Sequence, residues 1–149
     1  MIRWQWCVFD DFAPRELYAV LAAREAVFVV EQACAYQELD GLDLDAQHLI
    51  GWENDGVAAY LRLLGPGARF AEPSIGRVLT TRASRSIGLG RQLIDLSLRR
   101  AAECFPASPI RISAQSHLER FYASFGFVVA SQQYLEDGIP HVEMLRNGH

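Results

Sequence analysis

The chain has 149 residues, of which 50% are apolar and 21% charged, with a formal net charge of -4 at pH 7. This is the size and composition of one globular domain that can bury a substantial core, and an acidic chain without a broad basic face is not a nucleic-acid binder. No apolar run approaches the ~20 residues needed to span a bilayer, and "MIRWQWCVFDDF" lacks the cationic start and continuous apolar stretch of a signal peptide.

The opening residues alternate Ile2, Trp4, Trp6 and Val8 against Arg3, Gln5 and Cys7, the pattern of a strand with one buried face. Trp4 and Trp6 are then expected in the core or on a dimer surface. "DDFAPRELYAVLAAREAVFVVEQ" predicts a helix, with Pro14 in its first turn and Leu17, Val20, Leu21, Val27 and Phe28 mostly three or four apart. "ELDGLDLDAQ" is irregular. "HLIGWE" and "VAAYLRLL" flank Asn54-Asp55-Gly56, a strong hairpin signal. After the loop "GPGARFAEP", "SIGRVLTT" is extended, and a helix runs from Leu89 to about Glu103, ahead of Pro106. "PIRISAQ" is a short strand and "HLERFYASF" a short helix capped by Gly126. "FVVASQQYLEDGIPHVEMLR" closes the chain as two strands around a loop holding Asp137, Gly138 and Pro140. The pattern predicts a single α/β domain with a mixed sheet of about seven strands flanked by helices, since hairpins pair antiparallel and helical crossovers favour parallel neighbours.

Cys7, Cys34 and Cys104 are odd in number and far apart, with neither a disulfide framework nor metal spacing, so a reduced, cytoplasmic protein is expected. Glu38, Asp40, Asp43 and Asp45 do not follow the alternation of a calcium loop, because leucines interrupt them and no closing glutamate is in register. They read as a solvated loop, with attraction of a cationic amine as the second reading and no metal.

"SRSIGLGRQL", Ser84–Leu93, places Gly88 and Gly90 between a predicted strand and a predicted helix. A helix start carries N–H groups without intrahelical partners and the positive end of the dipole, so it receives anions. The glycines let a bulky anion approach the backbone, and Arg85 and Arg91 can add charge-assisted contacts. An ordinary connection with solvated arginines has the same local features. The loop lacks the Gly-Lys-Ser/Thr of a Walker loop and the third glycine of a dinucleotide fold.

Arg85-x-x-Gly88-x-Gly90 resembles the pyrophosphate signature Q/R-x-x-G-x-G/A of the GNAT acyltransferases, and "FYASFGF", Phe121–Phe127, resembles that family's second marker. "REAVFVVEQACAYQELDGLDLDAQHL", "AQSHLERFYASFGF" and "EDGIPHVEM" are similar to its ElaA-like branch, so the resemblance covers nearly the whole chain. Ala35, Ser86 and Gln115 depart from the proline, glycine and asparagine found in many relatives. The resemblance implies a splay between the fourth and fifth strands, with an acetyl-CoA thioester in the gap. It implies that Arg77, Val78 and Leu79 pair through their backbone with the pantetheine amides. The N–H groups of Arg85, Ser86, Ile87, Gly88, Leu89, Gly90 and Arg91 would hold the pyrophosphate, with Gln115, Phe121 and Tyr122 also beside the cosubstrate. A homodimer is allowed by analogy with the fold.

Transfer of acetyl to a primary amine needs a neutral nucleophile, a donor for the carbonyl oxygen and a proton for the thiolate. An alkyl amine of pKa ~10.4 is neutral in only about one part in a few thousand at pH 7, so a base or a water chain helps. An N–H near Val78 suits the oxyanion. Tyr122 matches the tyrosine that resembling enzymes use as general acid, although an aromatic on a short helix can also be simple packing. For the base, Glu31, His48, with His141 as a similar histidine, and a relayed water stay open, while Glu31, Gln32, His48 and His141 are candidates for the acceptor mouth. The rival to an acetyltransferase is a non-catalytic acyl-CoA-binding module that senses the ligand or docks a partner.

Overall fold

The computed structural model describes residues 1–81, 84, 85 and 87–148. Strand β1 (Arg3–Val8) pairs antiparallel with β2 (Gln47–Glu53) and sets Trp4 opposite Gly51. A Cβ at Gly51 would lie 2.8 Å from the Trp4 ring, so only glycine lets this indole pack across the strand. Asn54 adopts the left-handed backbone, φ 56°, that the tight turn requires, and β3 (Gly56–Leu64) returns along β2. Strand β4 (Ser74–Thr80) completes a sheet ordered β1-β2-β3-β4.

Helix α1 (Pro14–Arg24) starts where the sequence predicts, and its Glu16 carboxylate accepts the Ala13 N–H at 3.0 Å. It does not continue as α-helix to Val30. The turns widen into a π-helical stretch, Glu25–Glu31, where three valines in four residues crowd an α-helical turn. Val27 and Phe28 still pack on Ile50, Tyr60 and Leu79. Helix α2 (Leu89–Cys104) buries Leu89, Leu93, Ile94, Ser97 and Ala101, one stripe of its surface. Each of its large apolar side chains contributes about 1.5–3 kcal/mol on burial.

The second sheet contains β5 (Ile110–Gln115), β6 (Val128–Val129), β7 (Tyr134–Glu136) and β8 (Ile139–Arg146), with β5, β6 and β7 all paired to β8. The short helix α3 (Glu119–Ala123) ends at Gly126, φ 94°. The described residues therefore form eight strands rather than about seven. The extra strand arises because "YLEDGIPH" is itself a tight hairpin, and Pro140 lies in β8 rather than in a loop. Every ladder among the described residues is antiparallel. The parallel neighbours expected from the α2 crossover fall at β4 and β5, where the sheet splits. Only the starts of the two strands meet, Arg111 donating its N–H to the Pro73 carbonyl at 3.0 Å. Among the described residues no helix is long and apolar enough to cross a membrane.

The acidic segment corrects the sequence reading. Glu38 and Asp43 are buried, not solvated. Arg24 from α1 bridges Glu38 and Asp43, each at 2.7 Å, and Arg62 from β3 bridges Asp40 at 2.6 Å and Asp43 at 3.0 Å. Arg24 and Arg62 are each 1% exposed, and a buried guanidinium is tolerable only with such partners. Burial pushes Asp40 and Asp43 up, but the arginine hydrogen bonds and charges win and hold both well below the usual carboxylate range. Asp45 alone of the four is exposed with no ion pair among the described residues.

Candidate active site

The split between the sheets is produced locally by a bulge in β4. Tyr60 faces Leu79 and Arg62 faces Gly76, so Arg77 and Val78 together oppose Leu61. Arg77 takes the left-handed region, φ 52°, which is unusual for a side-chain-bearing residue. Its guanidinium reaches across to the Glu38 carboxylate, donates to the Glu38 carbonyl at 3.1 Å and pairs with Asp40 at 3.3 Å. The bulge is thereby tied to the acidic network. Beyond it, β4 is an edge strand facing β5 across a cavity of about 370 Å3, and Val78, Leu79, Thr80, Ser113, Gln115 and Tyr122 are among its lining residues.

A second hollow continues past Thr80, lined by Ser84, Gly88, Leu89, Gly90, Arg91 and Phe121. Gly88 takes φ 77° as the residue before α2, and among the described residues no side chain caps the helix start. The first helical hydrogen bond there is Gln92 N–H to the Gly88 carbonyl at 3.3 Å, so the N–H groups of Leu89, Gly90 and Arg91 lack intrahelical acceptors. A Cβ at Gly88 would meet nothing within 4 Å, whereas one at Gly90 would touch Phe121 at 3.6 Å. An anion fits this donor set. The flanking arginines, both of which line the hollow, have their guanidinium groups engaged by protein partners. Arg85 bonds the Thr80 carbonyl and pairs with Glu31 at 2.8 Å, and Arg91 donates to Ser124 and lies 4.6 Å over the Phe125 ring. Ile87 is exposed, and Ser86 lies outside the described residues.

Tyr122 is 7% exposed at the wall of the cleft, packed edge-on against Phe121 and Phe127. Burial pushes its phenol up to about 12. Its hydroxyl forms no hydrogen bond among the described residues, so it is available to whatever enters the cleft. Gln32 and His141 also line the cavity.

His48 does not, and the role proposed for it from sequence is corrected here. It is 1% exposed, with Nε2 donating to the Asp43 carbonyl at 2.9 Å and Nδ1 accepting the Tyr60 hydroxyl at 2.6 Å. Burial lowers its pKa and keeps it neutral. With both ring nitrogens engaged in the core, it is neither base nor acceptor ligand. Glu31 is likewise outside the cavity wall, at the end of the π-helical stretch beside Arg85.

Sequence reasoning named Gln115 and His141 but missed the rest of the polar face of the second sheet that they share. Strand pairing sets Gln115 beside His141 and His141 beside Tyr134, while Ser113 faces Glu143 and Glu136 faces Ile139. Ser113, Gln115, Tyr134, Glu136, His141 and Glu143 thus project from one side. Ile110, Ile112, Ala114, Val142 and Met144 fill the other side, in the core. The signal was period-two alternation in "RISAQ", "YLE" and "HVEM".

Residues 10–147 match the acetyltransferase (GNAT) domain family. The chain is 43% identical over 148 residues to protein ElaA of Escherichia coli, spanning 98% of this chain and 97% of that protein. The crystal structure of E. coli ElaA matches with a TM-score of 0.92 over 98% of this chain and 99% of the other. An acyl-CoA N-acyltransferase from Pseudomonas aeruginosa is 44% identical, with a TM-score of 0.93 over 98% and 99% of the two chains. A UPF0039 protein of Synechocystis is 43% identical over 145 residues, 97% of this chain and 94% of that one.

Proposed function

The chain belongs to the GNAT acetyltransferase family, close to ElaA and the UPF0039 proteins, and on that premise we propose that it moves an acetyl group from acetyl-CoA to a primary amine by direct attack. The observation that carries the reading is the gap between β4 and β5, which has an unladdered strand edge on one wall and the Tyr122 phenol on another. Acetyl-CoA supplies the activated acyl thioester.

The chain's own groups divide the remaining work. The open edge of β4 at Arg77, Val78 and Leu79 pairs with the pantetheine amides as an added strand would. The N–H groups at the start of α2, with Arg85, Ser86 and Ile87 in the preceding loop, hold the pyrophosphate, and Phe121 covers them. Gln115 borders the pantetheine side of the cleft. A backbone N–H near Val78 stabilises the carbonyl oxygen as it gains charge. Tyr122 keeps its proton at neutral pH and delivers it to the departing sulfur.

A panel of primary amines, from polyamines to lysyl peptides, tests this when incubated with acetyl-CoA and followed by release of free thiol. At least one amine is expected to accelerate release. If coenzyme A raises the melting temperature while no amine accelerates release, the protein is an acyl-CoA-binding module. Stabilisation by ATP or NAD at least equal to that by coenzyme A would identify a general nucleotide binder.

A further inference from the structure

The acetyl-transfer reading requires a group that takes a proton from the amine, and neither of the acidic-side candidates is placed for it. His48 has both nitrogens engaged in the core, and Glu31, which does not itself line the cavity, is paired with the lining residue Arg85. The polar face of the second sheet holds another arrangement. His141 lines the cleft, 7% exposed, and its Nδ1 lies 2.7 Å from the Ile139 carbonyl. A carbonyl only accepts, so Nδ1 carries a proton, and whenever the ring is neutral Nε2 is the nitrogen with the lone pair. Nε2 stands 3.5 Å from the Glu136 carboxylate, an ion-pair contact when the ring carries its second proton.

Glu136 is itself held. Arg69 donates to it at 2.7 Å and the Ser113 hydroxyl lies at 3.5 Å. The Tyr134 ring stacks on the imidazole with an interplanar angle of 25°, and the Tyr134 and Ser113 hydroxyls are hydrogen-bonded to each other. Base and orienting carbonyl from β8, carboxylate from β7 and carboxylate anchor from the loop before β4 therefore come from three places in the fold and converge at one edge of the cleft. An arrangement of this kind, in which a third group fixes the orientation of a base, is characteristic of activated nucleophile sites. The other titratable or charged groups lining this cavity are Cys34, Tyr36, Arg77, Arg85, His117, Tyr122 and Asp137, and Glu143 shares the polar face of β8.

Resting on the acetyltransferase reading, we infer that His141 is the general base for the acceptor amine and that Glu136 is its positioning residue. The amine arrives as an ammonium ion and loses one proton to His141 Nε2, which releases it to solvent. The freed lone pair attacks the carbonyl carbon, so that the C–N bond forms and the C–S bond breaks. The sulfur takes the Tyr122 proton, and the second proton leaving the nitrogen restores the phenol. Amide and thiol are the products, with one proton released.

The test compares wild type, His141→Gln and Glu136→Gln with acetyl-CoA and the fastest alkylamine of the panel, at pH 7 and at pH 9.5. At pH 7 His141→Gln should lose roughly a hundredfold in kcat/KM for the amine, and Glu136→Gln roughly tenfold. The affinity for coenzyme A and the melting temperature should stay at wild-type values. Because the amine is increasingly neutral at pH 9.5, both deficits should shrink several-fold there. A deficit that is the same at both pH values would assign these residues a structural role and overturn the inference, as would an unchanged rate in His141→Gln. Should His141→Gln fold poorly, the pH dependence of the Glu136→Gln deficit decides alone. A wild type that turns over no amine removes the acetyltransferase reading itself, and this inference with it.

Discussion

Two groups of charged side chains border the cleft, and they differ in how their partners are arranged. On the β4 side, Arg24, Arg62 and Arg77 meet Glu38, Asp40 and Asp43 in a cluster of mutually paired charges that reaches the cavity at Arg77, and His48 and Tyr60 complete it with hydrogen bonds at both ring nitrogens. On the β5–β8 side, Tyr122 and His141 show a reactive atom to the cavity, and their other contacts only hold them in place. The residue types overlap heavily. A histidine with both nitrogens bonded inside a core is architecture, whereas a histidine with one nitrogen anchored and the other facing a cleft can do chemistry. The closed cluster still serves the open one, because Arg77 sits at the bulge that separates β4 from β5.

The largest expected effect breaks the closed side. Asp43→Ala strips one carboxylate from both Arg24 and Arg62, leaving buried charge uncompensated, and should destabilise by about 3–5 kcal/mol in urea unfolding. A loss under about 1 kcal/mol would mean that the cluster is solvated after all. Next comes the phosphate loop. Gly88→Val forces a branched side chain into φ 77°, and should weaken coenzyme A binding by more than about tenfold. Arg91→Ala should cost less than about threefold, about 0.6 kcal/mol, because that guanidinium already rests on Phe125 and Ser124. The reverse ranking in titration calorimetry would move the binding from backbone to side chains.

Acid should act on the closed side in two stages. His48 has a lowered pKa in the fold, so stability is intact above its unfolded value of about 6.5 and declines as pH falls below it. Asp40 and Asp43 are also lowered, so their contribution is present above about pH 4 and is lost as pH drops further through their folded values. Unfolding free energies between pH 8 and pH 3 measure this, and a flat profile from 7 to 5 would contradict the buried neutral imidazole. The smallest effect is the control: Asp45→Ala, exposed in the same loop, should stay within about 0.5 kcal/mol of wild type.

Much of the open side was legible in the sequence, and little of the closed side was. The glycine loop and "FYASFGF" are local patterns, and the structure puts both at the same cleft. The order of long elements and the Asn54 turn also follow from short-range periodicity. The acidic cluster could not be read this way, because its arginines lie 14 to 39 residues from their partners and a charge run has the same local look whether solvated or paired. Arg62, placed inside the apolar run "VAAYLRLL", was the one visible hint. The polar face around His141 was obscured because it is assembled from three short strands whose pairing decides which residues share a side.

The central claim is that an unencumbered phenol at the cleft wall finishes the reaction. Its most direct measurement is the rate of acetyl transfer by Tyr122→Phe beside its coenzyme A affinity. The rate should fall tenfold or more, at least about 1.4 kcal/mol in the barrier, with affinity within about twofold of wild type. An unchanged rate would remove Tyr122 from the chemistry and contradict the account.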